Sequence, residues 1–314
     1  MTVGVVVRWA GPAGQRHVAS ARDLAFYHRI AADRGLDILA LDWRSVTADG
    51  QVTAQDVRGG TPHRTPLQRF GLIHVAALGA APGGSEPLRD KWAQLRGVLA
   101  VLRAAAIPCI NLLETLAYGI EKSYLLALRD AGIPVIPSRI VAVQSGLAGI
   151  RAARSGPAEH IVKPLAGECG RGLCRLSELD AGRLRVLARH GDAVLVQPFM
   201  REIADGERSL VFVDGQLAHA VRKVSAPGDY RTNGPHVGAA VRPYDPPGAE
   251  LGFARRAIAA FPRPIDLGRV DYVVTARGPL IMELEVIDPG LYRARTLAFG
   301  NSLGALYASR LKSI

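Results

Sequence analysis

Two apolar runs near the end of the chain carry acids where a buried strand ordinarily carries none. Arg269-Val-Asp271-Tyr-Val-Val-Thr275 and Leu280-Ile-Met-Glu283-Leu-Glu285-Val286 are separated by Ala-Arg-Gly-Pro. The pattern predicts a β-hairpin. Side chains alternate along a strand, so Glu283 and Glu285 share a face. A register that sets Asp271 opposite either of them gathers three carboxylates there. Their neighbours are Val, Leu, Ile and Met. Like charges held together in apolar surroundings repel unless a cation neutralises them, and hard oxygen donors of this kind suit Mg2+. An exposed acidic edge strand would give the same letters, and a one-residue slip would scatter the acids.

The rest of the chain decides what such a hairpin is attached to. Residues 3–7 read as a buried strand, and Ala21 to Asp33 as a helix stopped by Gly35. Leu36 to Leu41 is a second strand, followed by a polar, glycine-containing stretch from Val46 to Gln68. Leu72 to Leu78, a Gly/Pro loop, a long helix from Leu88 to Ala106 and a strand from Ile107 to Leu112 complete a parallel α/β unit over 1–112. Its first loop, Gly11-Pro-Ala-Gly14, lacks the third glycine and the acidic partner of a dinucleotide fingerprint, which excludes a nicotinamide site. Beyond it the pattern becomes α+β in two lobes, 113–192 and 193–314. Expected there are a helix from Glu114 to Ala131 carrying Lys122, a helix over Leu147 to Ser155, helices near 177–190 and 248–261, and a last helix from Ser302 to Leu311. The fold class is therefore α/β with α+β.

Composition narrows the function. With 48% hydrophobic and 21% charged residues the chain is globular rather than disordered. No apolar run reaches the roughly 18 residues of a membrane helix. The opening strand meets Arg8 too early for a signal-peptide core, so a cytoplasmic protein with no membrane partner is expected. Three cysteines (Cys109, Cys169, Cys174) are too few for a disulfide framework and have no clustered histidine. The net charge is +11, yet the 34 arginines are scattered and only 6% of residues are aromatic. A nucleic-acid surface would show a basic stripe or an aromatic platform, so small anionic ligands are the better reading. Only five lysines occur among these arginines. Lys91 and Lys312 read as surface positions on polar helix faces; Lys122, Lys163 and Lys223 are better placed for chemistry.

Three further features carry chemistry. Ile161-Val-Lys163-Pro-Leu-Ala-Gly167-Glu-Cys-Gly170-Arg-Gly172 delivers a lysine from a strand into a glycine loop. Such glycines let backbone N–H groups close over phosphate oxygens; an ordinary hairpin gives the same letters. Val194-Leu-Val-Gln197-Pro198-Phe-Met200 runs into Asp205-Gly-Glu207-Arg, a strand whose backbone can face a purine edge, with a carboxylate placed for ribose hydroxyls. Arg222-Lys223 and Gly228-Asp-Tyr-Arg231-Thr-Asn233 offer cations and an amide to a transferred phosphoryl group, or form a solvated hairpin.

In this order the features resemble the ATP-grasp superfamily, and most closely its glutathione-synthetase-like and RimK-like ligases. The similarity covers nearly the whole chain, including the Thr47-Ala-Asp-Gly-Gln-Val turn of the pre-ATP-grasp domain. The resemblance implies an ATP-grasp fold: a pre-ATP-grasp domain (1–112), a small lid lobe (113–192) and a C-terminal lobe with the metal site (193–314). It implies an ATP-dependent carboxylate–amine ligase working through an acyl phosphate. Lys122, Lys163 and the loop Gly167, Gly170, Gly172 would take the phosphates. Gln197, Pro198 and Met200 would take adenine, and Glu207 the ribose. Lys223, Arg231 and Asn233 would be catalytic, near the γ-phosphate. Asp271, Glu283 and Glu285 would bind two Mg2+, with Mn2+ as a substitute. The third metal position is usually Asn in glutathione synthetases and is Glu285 here. Pro235-His236-Val237-Gly238 stands where a glycine pair is common. The run Glu283 to Tyr292 is more similar to a natural-product ligase branch that includes a cycloserine-forming cyclo-ligase. Intramolecular ring closure, or addition of amino acids to a protein or peptide acceptor, therefore stand as alternatives. Relatives suggest a homodimer or homotetramer and small-molecule carboxylate and amine substrates. Arg8, Trp9, Arg16 and His74 are candidates for substrate contacts from the first domain, His236 is one for the acceptor site, and His219 reads as structural.

Overall fold

Alternating strand and helix over the first third of the chain builds an open sheet with helices against it. The computed structural model describes residues 1–10, 18–79, 86–232, 238–292 and 297–313. The first sheet contains β1 (Thr2–Val6), β4 (Asp37–Asp42), β5 (Gln51–Asp56), β6 (His63–Pro66), β7 (Phe70–Val75) and β8 (Cys109–Ile110), in the order β6-β5-β4-β1-β7-β8. A short pair, β2 (Trp9–Ala10) with β3 (Val18–Ala19), follows β1. Helix α1 (Ala21–Arg34) ends at Gly35, whose φ of 62° lets its N–H reach the carbonyl of Ala31; this is the left-handed cap expected at that position. The sheet is mixed rather than wholly parallel. The stretch expected to be polar loop, 46–68, folds into β5 and β6, which add antiparallel to β4. Val52, Ala54 and Thr65 point inward there, an alternation too short to stand out among polar neighbours.

Helix α2 (Leu88–Ala104) buries Leu88, Trp92, Leu95, Val98, Leu99 and Leu102, a stripe at helical spacing. The single helix expected over 114–131 is two, α3 (Leu113–Gly119) and α4 (Tyr124–Asp130), with Lys122 in the turn between them. The break lets the Lys122 N–H bond to the carbonyl of Leu165, across the chain. It also brings Gly119 against Val286, where any Cβ would collide.

The second sheet holds β9 (Arg139–Ala142), β10 (His160–Pro164), β11 (Cys174–Arg175) and β12 (Ala193–Pro198), ordered β11-β10-β12-β9. Helices α5 (Gly146–Ala152) and α6 (Ala181–His190) cover it. Because β12 pairs with β10 and β9, the sheets divide after Pro198 and not near Ala193. The third sheet, β15-β14-β13-β16-β17, is antiparallel. Its members are β13 (Glu207–Val213), β14 (Gln216–Val224), β15 (Ala240–Pro243), β16 (Leu267–Thr275) and β17 (Gly278–Glu285), with α7 (Gly248–Ala260) against it. Helix α8 (Leu297–Lys312) returns to the first sheet. Phe299 stacks on Phe26, and the hydroxyl of Tyr307 meets His74 Nδ1 at 2.5 Å. No helix among the described residues is long and apolar enough to cross a membrane.

The cores follow this division. One apolar cluster runs from Trp43 and Leu95 through Tyr124 to Phe253 and Leu284, and a second joins Val5, Tyr27 and Phe299 to Val211. The first and third sheets thus share one base. The small lobe has a separate core of Ile150, Val162, Cys174, Leu176, Leu179, Leu187, Val194 and Val196.

Candidate functional site

The hairpin register is the decisive local fact. Asp271 lies opposite Glu283 and Arg269 opposite Glu285, with an irregularity just after Asp271. One carboxylate oxygen from each of Asp271, Glu283 and Glu285 can be chosen so that all lie within 4.8 Å of one another. The three acids meet as the alternation predicts. A cation that the motifs do not single out sits with them. Arg269 Nη2 lies 2.6 Å from Asp271 Oδ2 and 2.8 Å from Glu285 Oε2. Its position two residues before Asp271 puts it on the same strand face, and that spacing was the available signal.

The other charged groups close round this triad. Lys122 donates to Glu283 Oε1 at 2.9 Å and to the Gly167 carbonyl at 2.6 Å. Ser209 donates to Asp271 Oδ1 at 2.5 Å. Lys223 is fully buried, pairs with Glu207 and lies 3.9 Å from Asp271. It faces carboxylates rather than the open cleft where a γ-phosphate contact was expected. Glu207 also accepts from Thr232. Four carboxylates (Glu207, Asp271, Glu283, Glu285) therefore pair with three cations (Lys122, Lys223, Arg269).

Burial and charge tune these groups in opposite directions. Burial raises Glu285 well above the usual carboxylate range, and Arg269 only partly offsets it. Burial also raises Glu207. For Asp271 and Glu283 burial opposes ionisation, but Arg269 and Lys223 in one case, and Lys122 and Lys163 in the other, outweigh it and lower the pKa. Burial lowers Lys163 to about 8. Among the described residues no carboxylate forms a close ion pair with Lys163, unlike Lys122 and Lys223.

Two adjoining cavities open on this cluster. The narrower, about 120 Å³, is lined by Lys163, Gly167, Gly170, Gln197, Pro198, Met200 and Glu207, with Ile136, Phe199, Ile203 and Met282 forming an apolar slot. Strand alternation puts Ile161 and Lys163 into it while Val162 faces the small-lobe core. Gln197 lines the slot, but its side-chain amide is tied to Ser138 at 2.8 Å. The wider cavity, about 930 Å³, shares Lys122, Glu283 and Glu285 and extends to Arg8, Lys91, Gly172, Arg269 and Tyr292. The glycine loop separates the two. Gly172 has a φ of +73°, and a Cβ there would press on Pro164 at 3.0 Å. Exposed Arg231 reaches both cavities while bound through two nitrogens to Asp229.

Other expectations separate here. Asn233 and His236, with Arg16 and the Gly11–Gly14 loop, lie outside the described residues. Arg8 lines the wider cavity, whereas His74 is buried against Tyr307 and serves packing. His219 is buried against Phe299, its pKa pushed down to about 4 by that burial. Lys91 is not on a polar face. It is 1% exposed and lines the wider cavity beside Trp92. A helical wheel carries the signal, because position 91 flanks the stripe 88-92-95-99.

Residues 133–245 match the family model described as prokaryotic glutathione synthetase, ATP-grasp domain. The chain is 31% identical over 200 residues to the cycloserine biosynthesis protein DcsG of Streptomyces lavendulae, covering 55% of this chain and 64% of that one. It is 25% identical over 178 residues to a glutathione synthetase of Prochlorococcus marinus (strain MIT 9313), covering 55% and 54%. The chain thus matches less than two thirds of the length of these curated relatives. The crystal structure of D-cycloserine synthetase DcsG superimposes with a TM-score of 0.75 at 22% identity, over 99% of this chain and 100% of that one.

Proposed function

From the match of residues 133–245 to an ATP-grasp domain and the fold shared with D-cycloserine synthetase, we propose that this chain is an ATP-dependent carboxylate–amine ligase of the ATP-grasp superfamily. It activates a carboxylate as an acyl phosphate and joins it to an amine, releasing ADP and phosphate. Its substrates are amino-acid-like small molecules of specialised metabolism, converted in the cytoplasm by a homodimer or homotetramer. The observation that carries this reading is the meeting of the Asp271–Glu283–Glu285 triad with Lys122, Lys163 and the glycine loop in one cleft.

The donor set fits Mg2+. All three donors are carboxylates, the hard oxygen ligands that ion prefers, and Glu285 is pushed toward protonation where no added cation meets its charge. Asp271, Glu283 and Glu285 would hold the two ions, Mn2+ substituting. When bound, Mg2+ would neutralise charge on the phosphates.

The chain's own groups do the rest by positioning. Lys163, free of a close carboxylate partner, directs its ammonium to phosphate oxygens. The apolar slot around Met200 and Phe199 receives the adenine, and Glu207 with the backbone of Pro198 and Met200 fixes the nucleoside. The loop N–H groups of 167–172 close over the phosphates and exclude water. Lys223 and Arg269 act through the carboxylates they hold. Arg231 stabilises charge on the carbonyl oxygen as the amine attacks, an effect of about 3 kcal/mol for one such donor. Both reacting groups are brought together in the wider cavity, so no protein nucleophile is required.

The name of the Streptomyces relative favours one second reading: the acid and the amine belong to one molecule and the ligation closes a ring. ADP and phosphate release with Mg2+, against amino acids and small acids singly and in pairs, separates the two. Release that needs two compounds together is the ligase; release with one compound alone is ring closure. Failure of Mg2+ and adenylyl imidodiphosphate to bind the cleft would overturn both.

A further inference from the structure

The glycine loop belongs to the small lobe, but what holds it belongs to the base. Trp92 Nε1 donates to the Ala166 carbonyl at 2.9 Å, at the loop's entrance. Lys91 Nζ lies 2.5 Å from Glu168 Oε2, in the loop itself. Arg171, near the loop's exit, donates to the Glu86 carbonyl. Three points of the loop are thus fastened to one segment, 86–92, at the start of α2. The small lobe docks on the same helix nearby. Leu88 N–H donates to His190 at 3.3 Å, and Arg89 bonds Asp192 at 2.5 Å.

Lys91 is the unusual member of this set. It occupies a buried position on the flank of an apolar stripe, where a leucine would satisfy the packing. Burying an ammonium is costly unless it is paired. Here the Glu168 carboxylate pairs it, and the Trp92 ring lies 5.2 Å from Nζ. Both residues also line the wider cavity. One ammonium therefore touches the loop over the nucleotide slot and the space beside it.

We propose that Lys91 is a positioning residue: it holds the glycine loop closed through Glu168 and ties that closure to the contents of the wider cavity. The loop's own contacts are short-range turns, Arg171 N–H to Glu168 and Leu173 N–H to Gly170, and Gly170 and Gly172, in left-handed backbone, bring no side chain to pack. Apart from Lys122, which holds the Gly167 carbonyl, the loop is held from the first domain, at Ala166, Glu168 and Arg171. An anionic group entering the wider cavity competes with Glu168 for the same ammonium, so substrate arrival and loop position share one contact. This rests on the nucleotide reading for its consequence, and on geometry alone for the latch.

Lys91→Met, which keeps an unbranched side chain without the ammonium and suits the apolar stripe, and Glu168→Gln test it in the whole chain. Amide hydrogen exchange of the peptide spanning 166–173, without nucleotide, should accelerate about tenfold in either variant, as expected for loss of one charged hydrogen bond. Exchange in α1 and β4 should not change. The double variant should be no faster than the faster single, the signature of one shared interaction. In turnover, KM for ATP should rise about tenfold with kcat changed much less, and Lys91→Arg should recover part of the loss. Unchanged exchange over 166–173 in Lys91→Met would overturn the latch. A wild-type protein that fails to bind nucleotide would instead overturn the ligase reading, and the exchange comparison would still decide the latch.

Discussion

The base and the small lobe are held together by different physics. The base buries two large apolar clusters that tie residues near the start of the chain to residues near its end. Its parts cannot separate without exposing Phe299, Leu303 and Tyr307. The small lobe has eight buried core residues of its own, each apolar one contributing roughly 1.5–3 kcal/mol before conformational entropy is subtracted. It meets the base through Leu165 and Leu195 and through polar contacts to α2. Apolar interfaces resist sliding, whereas a few ion pairs and hydrogen bonds exchange readily with water or ligand. The carboxylate triad accordingly sits on the base, and the parts expected to move over a nucleotide, Lys163 and the glycine loop, sit on the small lobe.

Glu283→Gln probes the fixed half and should have the largest effect. ATP-dependent phosphate release should fall by about 10²–10³-fold, with the melting temperature close to wild type. Activity near the wild-type rate would remove the metal role and leave the triad a structural cluster. Leu187→Ala probes the independence of the small lobe. A loss of about 2–5 kcal/mol should appear as an early, separate unfolding step, seen as exchange in α6 and β10 ahead of β13 and β16. A single cooperative shift would mean that the two regions are one unit.

Lys163→Ala addresses the contact between the halves, and ADP affinity should weaken about 30-fold, as for a lost charge-assisted bond. The pH dependence sharpens the test. With a folded-state pKa of about 8 against an ordinary 10.5, the folded protein binds fewer protons than the unfolded chain between those values. Stability from this group rises with pH over that window, while nucleotide affinity falls as the ammonium is lost above about pH 8. Calorimetric titration should find both trends absent in the alanine variant. The smallest effect is expected at Cys169, a loop residue whose thiol is pushed up to about 11, first by desolvation and then by nearby acids. Cys169→Ser should change turnover by less than about twofold; a larger loss would assign the loop a contact through that sulfur.

Much of the site was legible because strand alternation is a short-range rule. Acids at 283 and 285 had to share a face, and the turn before them set the hairpin that brought Asp271 across. Lys163 was legible for the same reason, one strand delivering one lysine to a glycine loop. Lys91 was misread because it is charged and follows Arg89 and Asp90, while its partner, Glu168, is far along the chain. The split of the 114–131 helix was hidden too, since both halves have ordinary helical spacing and the break is stabilised by the remote Leu165 carbonyl. β5 and β6 were missed where a sheet edge conferred order on residues with little intrinsic strand preference.

The amino-acid sequence by itself determined most of the elements and the residue types suited to phosphate groups, because periodicity and turn chemistry act over a few residues. Tertiary structure alone decided which cation each acid meets. It put Arg269 between Asp271 and Glu285, sank Lys223 onto Glu207, and fastened the glycine loop to α2. Those choices depend on burial and on distances between remote segments, and the strength of a charge pair is set by those two quantities.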